Sequence, residues 1–140
     1  MHMYWPIALA VVADIAYQIA SKQTPTAMNP FASLTLAYLV GAAASAVIYL
    51  ITNSGGSILG EWKLANWTTV MLGLAIVGLE AGSIYMFRAG WDVSVGPMVK
   101  NALIAIALLA LGYLAYKEPM TGTKVAGVGA CLLGLWLINR

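Results

Sequence analysis

The sequence predicts an all-α integral membrane protein of five transmembrane helices forming one repeat. Three observations carry that prediction. Charged residues are 9% of the 140-residue chain, against roughly 25% in an ordinary soluble domain. Hydrophobic residues reach 61% and mean hydropathy is +0.85, so a soluble domain of this size would lack polar side chains to cover its surface. The apolar residues also fall into runs of about twenty, the length that crosses a bilayer as a helix, joined by short polar loops. The expected spans are about 3–22, 30–52, 66–88, 94–116 and 122–139, making a single five-helix membrane domain over 1–140.

In the first span Pro6 falls in the opening turn, where a missing N–H costs nothing, and Tyr4 and Trp5 suit the headgroup level. Asp14 and Gln18 lie one helical turn apart on the same face. The loop after Lys22 ends in Asn29-Pro30, a capping residue followed by a first-turn proline. The second span carries the small-residue belt Leu39-Val-Gly-Ala-Ala-Ala-Ser-Ala46, of the kind that lets membrane helices approach closely. The longest loop follows, with Glu61, Lys63 and the interfacial Trp62 and Trp67. Asn66-Trp67-Thr68 matches a glycosylation sequon but abuts a span, and serves better as a helix cap. The third span holds Glu80. The fourth opens with Ser94-Val-Gly96-Pro97, which interrupts backbone bonding near its start, and then places Lys100-Asn101 inside the membrane. The fifth is rich in glycine, including Gly127, Gly129 and Gly134.

Several function classes fall away on composition. A net charge of +2 without a Lys/Arg run does not suggest nucleic acid. Neither a metal nor another cofactor is expected, because there is no His/Cys cluster and no phosphate-binding glycine loop. Cys131 is the sole cysteine and reads as a buried free thiol. The N-terminal stretch lacks a basic leader and contains Asp14, unlike a cleaved signal peptide. Five spans and short loops leave no room for a soluble catalytic domain, so an enzyme is not expected.

The ionisable residues within the spans carry the functional signal. An ionised side chain at the centre of a span costs roughly 2.5–3.5 kcal/mol, while each neighbouring aliphatic residue contributes only about −0.3 to −0.6 kcal/mol. With the N-terminus on side A, odd-numbered spans run from A to B. Asp14 stands eight residues before Lys22, and Glu80 eight before Arg88, each roughly 12 Å from the B end at 1.5 Å per residue. Lys100 lies six residues into a span that starts from B, about 9 Å deep by the same rise. Two carboxylates and one lysine at one level leave an acid in excess, which is a proton or cation site. Lys100 with Asn101 either holds an acid charged or meets a substrate carboxylate. Gln18, Tyr17 and Tyr85 flank the acids as candidate cavity residues, and Gly96 and Pro97 supply a flexible gate. The bland alternative is that each charge faces a loop or water, Lys100 by extending to the surface.

Positive charge on short loops normally sets orientation. Here side A holds Lys63, Lys117 and Lys124, and side B holds Lys22, Arg88 and Arg140. This balance admits both orientations, and two copies inserted oppositely would pair as an antiparallel homodimer, the arrangement that fused inverted repeats reach within one chain. A parallel dimer or a monomer is the alternative.

The segment from Arg88 to Arg140 resembles the drug/metabolite transporter superfamily, in particular the EamA-like five-span repeat. The resemblance rests on a small-residue turn before a helix, the acidic loop Lys117-Glu118-Pro119-Met120-Thr121, and the glycine-rich last span running from Gly127 to Asn139. The glycine spacing and Leu-Ile-Asn ending are also similar to the dimerising helix of the small multidrug resistance proteins, and Ala13-Asp14 with Lys22 to their acidic substrate helix. Those proteins have four spans, and they carry a tryptophan and a tyrosine where Asn101 and Met98 stand here. The resemblance implies a half-size, proton-coupled secondary transporter of the antiporter type in a bacterial or archaeal inner membrane. Gly127 and Gly134 would pack the antiparallel dimer, and the cargo would be a small metabolite or organic cation. The rival expectations are a non-transporting membrane assembly subunit and a lipid or lipid-carrier flippase.

Overall fold

The computed structural model describes residues 4–53, 55–117, 119 and 121–138. The expected span ends at 3 and 139, together with Glu118, Met120 and Arg140, lie outside the described residues. The helices in chain order are α1 (Trp5–Gln23), α2 (Pro30–Thr52), α3 (Ile58–Trp62), α4 (Trp67–Arg88), α5 (Gly96–Tyr116) and α6 (Gly122–Ile138). No strand occurs among the described residues.

Local chemistry explains where each helix begins. α2 starts on Pro30 and α1 carries Pro6 as its second residue; in a first turn the absent N–H is an orphan in any case. Asn29 caps α2, its side-chain oxygen accepting from the Phe31 N–H at 2.9 Å. Asn66 does the same for α4, accepting from the Thr68 N–H at 2.9 Å and from the Thr68 hydroxyl. The Asn66-Trp67-Thr68 triplet is thus a helix cap. The short α3 was not anticipated. Ser57 starts it by accepting from the Gly60 N–H at 3.4 Å, turning part of the long loop into one helical turn.

α5 begins two residues later than expected. Asp92 accepts from the backbone N–H groups of Val95 at 3.2 Å and Gly96 at 2.9 Å, so residues 93–95 form a turn and the helix starts at Gly96. Pro97 sits in that first turn, where its ring fits the helical φ. Gly96-Pro97 is therefore the beginning of an unbroken helix. α5 stops at Lys117, whose left-handed φ of 52° disfavours further helical turns. Between α4 and α5 the chain turns at Gly90 with φ +98°, a conformation that suits glycine alone.

α2, α4 and α5 are long and apolar enough to cross a membrane by length and composition. α1 has 19 residues, and Asp14, Gln18 and Lys22 lower its hydropathy. α6 has 17 residues, and its segment Gly122–Gly134 is apolar.

The helices fall into two compact units, Met1–Arg88 and Ala89–Arg140. In the first, α1 and α2 both pack against α4. Leu34, Ala81 and Ile84 form the core, with Tyr38 packed against it, and Phe87 is buried nearby in sequence on α4. The small Ala81 and Ser83 let neighbouring helices come close to α4. In the second unit α5 packs on α6. Large aliphatic side chains such as Ile51 (76% exposed) and Leu114 (74% exposed) point outward, as a surface facing lipid requires.

Candidate functional site

The polar residues of the first unit gather where α1 and α2 meet α4. Glu80 is half-buried on α4, one position before the buried run that begins at Ala81. Ser83, the most buried side chain of that run, donates its hydroxyl to the Leu79 carbonyl at 2.9 Å and so satisfies itself within its own helix. Tyr38 follows Leu34 by one turn on α2, and both belong to the core contact with α4. This packing brings the Tyr38 hydroxyl beside the Glu80 carboxylate and within electrostatic reach of the Tyr17 phenol on α1. The Tyr17 and Tyr38 hydroxyl oxygens are buried and close no hydrogen bond.

Gln18, only 5% exposed, completes the group on α1. Its Nε2 donates to Asp14 Oδ1 at 3.3 Å, the contact that their one-turn spacing predicts. This bond turns the amide nitrogen towards Asp14. The other end, Gln18 Oε1, is buried without a partner. Asp14 itself is exposed, and no hydrogen bond or ion pair joins it to Glu80 among the described residues. The unit therefore holds a half-buried carboxylate, two phenols and an amide oxygen with unused bonding capacity, inside a largely apolar bundle.

Towards the α1–α2 loop the same unit is basic. The Lys22 ammonium sits 5.6 Å from the centre of the Phe87 ring, within cation–π range. Arg88 donates from its guanidinium to the carbonyls of Pro25 at 2.9 Å and Met28 at 2.6 Å. It thereby ties the loop to the end of α4. Replacing Arg88 by Met should destabilise the protein by about 1–2 kcal/mol, the range for charged hydrogen bonds reduced for partial exposure. Faster hydrogen exchange at the Met28 amide, which bonds to Pro25 O at 3.1 Å, would report the loosened loop. Unchanged exchange would show that the clamp is unimportant.

The remaining expected site residues stand elsewhere. Tyr85 is 50% exposed on α4. Lys100 is half-buried and Asn101 exposed on α5, and Gly96 and Pro97 are buried at its first turn. These α5 residues belong to the second unit. There Asn101 lines an open groove of about 850 Å³ between α5 and α6, with Ala105, Gly127, Gly134 and Cys131, whose free thiol is exposed and not buried as expected. A Cβ at Gly127 or Gly134 would meet nothing within 4 Å, so both glycines leave free space on the helix surface.

Tyr38 is the site residue that sequence reasoning missed. A usable signal was present: Tyr38 stands eight residues from Pro30, roughly 12 Å from the same end of the bundle at 1.5 Å per residue. The depth rule that selected Asp14 and Glu80 selects Tyr38 as well.

No group of three or more His, Cys, Asp or Glu side chains that could hold a metal ion occurs among the described residues. The family model described as the EamA-like transporter family matches residues 3–140. Neither the curated proteins nor the solved structures provide a match. With the match running over nearly the whole chain, and with apolar helices of membrane-crossing length, the chain belongs to the EamA-like transporter family and so to the drug/metabolite transporter superfamily.

Proposed function

We propose that this membrane transporter moves a small metabolite or organic cation in exchange for protons, as a protomer of an antiparallel homodimer with five spans per copy. The observation that carries the proposal is the half-buried Glu80 carboxylate beside the Tyr38 phenol, which lies within electrostatic reach of Tyr17, both hydroxyls having unused hydrogen-bonding capacity. A carboxylate in such surroundings needs a positive partner or a proton. Cargo and proton therefore compete for it, and protonation releases the cargo. Asp14 takes part through Gln18, to which it is hydrogen-bonded.

In this scheme Lys100 and Asn101 on α5 receive a carboxylate of the cargo. Tyr85 contributes to the cargo pathway, and the α5 start at Gly96-Pro97 acts as the gate. The open space at Gly127 and Gly134 receives a helix of the second copy, and rocking of the two copies alternates access to the two sides.

The α5–α6 groove also favours a second reading, a non-transporting assembly subunit with that groove as its contact surface. The decisive experiment adds metabolites and organic cations to detergent-solubilised protein in weak buffer and follows pH. A transporter of this type releases protons on binding its cargo, saturably. A screen that yields binding with no proton release would overturn the coupled mechanism and favour the assembly subunit.

A further inference from the structure

Among the described residues, the first unit contains three buried side-chain oxygens without a partner, and one buried donor, Arg88 Nε, at the end of α4. Tyr17 Oη, Gln18 Oε1 and Tyr38 Oη are all buried and unpartnered, and they lie on the two helices that pack against α4. Leaving such groups unpaired is costly, so each one calls for a ligand atom or a water. The nature of the missing atom follows from the inventory. Gln18 Oε1 carries no hydrogen and can only accept, while the amide nitrogen gives one hydrogen to Asp14. The phenols each have one hydrogen and two lone pairs. When the Tyr38 hydroxyl turns its hydrogen to the Glu80 carboxylate beside it, its lone pairs stay free to accept. What is lacking is a set of donors with positive charge.

We propose that this site selects a primary ammonium group over a quaternary one, with Gln18 Oε1 and the Tyr17 and Tyr38 hydroxyls accepting its N–H bonds while Glu80 balances its charge. The inference rests on the cation-binding reading above and narrows its cargo class. A primary ammonium brings three N–H donors for the three acceptors. A quaternary ammonium brings the same charge and none, so its binding would leave Gln18 Oε1 desolvated and unpaired. Sites with buried hydrogen-bonding groups discriminate strongly against analogues that lack the matching group.

The test uses calorimetric titration of the full-length protein in detergent with n-butylammonium and its N-methyl, N,N-dimethyl and N,N,N-trimethyl derivatives. Affinity is expected to fall along the series by about tenfold or more. Gln18→Leu should flatten that gradient, weakening the primary compound most and removing the penalty that the unpaired oxygen imposes on the trimethyl compound. Tyr38→Phe supplies an independent check, again with a shallower gradient. Equal or tighter binding of the trimethyl compound to the unmodified protein would overturn the proposal, as would a full gradient in both variants. If the trimethyl compound binds as well and releases protons, only the N–H selectivity fails and the coupled transporter stands. If no member binds or releases protons, the cationic-cargo reading fails with it.

Discussion

Glu80→Gln is expected to abolish cargo-driven proton release and to weaken cation binding about ten- to a hundredfold, the loss of one charge-assisted interaction at roughly 1.5–3 kcal/mol. Glutamine preserves the length and hydrogen-bonding reach of the side chain but cannot exchange a proton. The Tyr38 hydroxyl beside it can still find an acceptor, so the fold should survive and thermal melting should change little. The measurement is proton release per bound ligand, with size-exclusion chromatography to show that the proposed homodimer persists. Release of the unmodified amount by Glu80→Gln would remove the carboxylate from the mechanism. Asp14→Asn provides the companion measurement. It keeps an acceptor for the Gln18 amide while losing the titratable group, and should likewise lose coupling. Uptake with its full pH dependence in that variant would take Asp14 out of the site.

Two added lysines in the 54–57 loop should reduce activity to below about a tenth by forcing every copy into one orientation. Co-expression with an oppositely biased version should restore it. The expected five-span topology makes this sensitive, because it would put Lys63, Lys117 and Lys124 on one side and Lys22, Arg88 and Arg140 on the other. Insertion is preferable to replacement, because a Cβ at Gly56 would come within 2.6 Å of the Tyr49 hydroxyl. The neighbouring positions 55 and 57 are exposed, so the extra residues should not disturb packing. Transport by each biased version into proteoliposomes, alone and together, is the measurement. Full activity from one version alone would exclude the oppositely inserted pair.

Much of the helical framework could be read from local chemistry. Asn29-Pro30 and Asn66 mark helix starts through interactions confined to a few residues, and both appear as caps. The length and apolarity of α2, α4 and α5 likewise follow from counting residues. α3 escaped notice because a single turn capped by Ser57 leaves no periodic pattern. The site was legible only in part. Asp14, Gln18 and Glu80 announce themselves as polar groups in apolar runs. Tyr38 does not, because a tyrosine in such a run resembles an interfacial anchor or a packing residue. Its place beside Glu80 depends on α2 packing against α4, a contact between segments some forty positions apart that no local pattern encodes. Arg88 shows the converse: counted as a loop charge, it is engaged with the carbonyls of Pro25 and Met28.

Only Leu34, Ala81, Ile84 and Phe87 are buried hydrophobic residues among the described positions. A soluble protein with so little interior would collapse or dissolve into coil, but each helix here closes its backbone bonds within itself and needs no neighbour to remain helical in lipid. Heat should therefore pull the bundle apart sideways before it unwinds any rod, so that ellipticity in the far ultraviolet outlasts ligand binding. What the surrounding bilayer supplies, in that event, is lateral confinement: it keeps the separated rods near enough to find one another again.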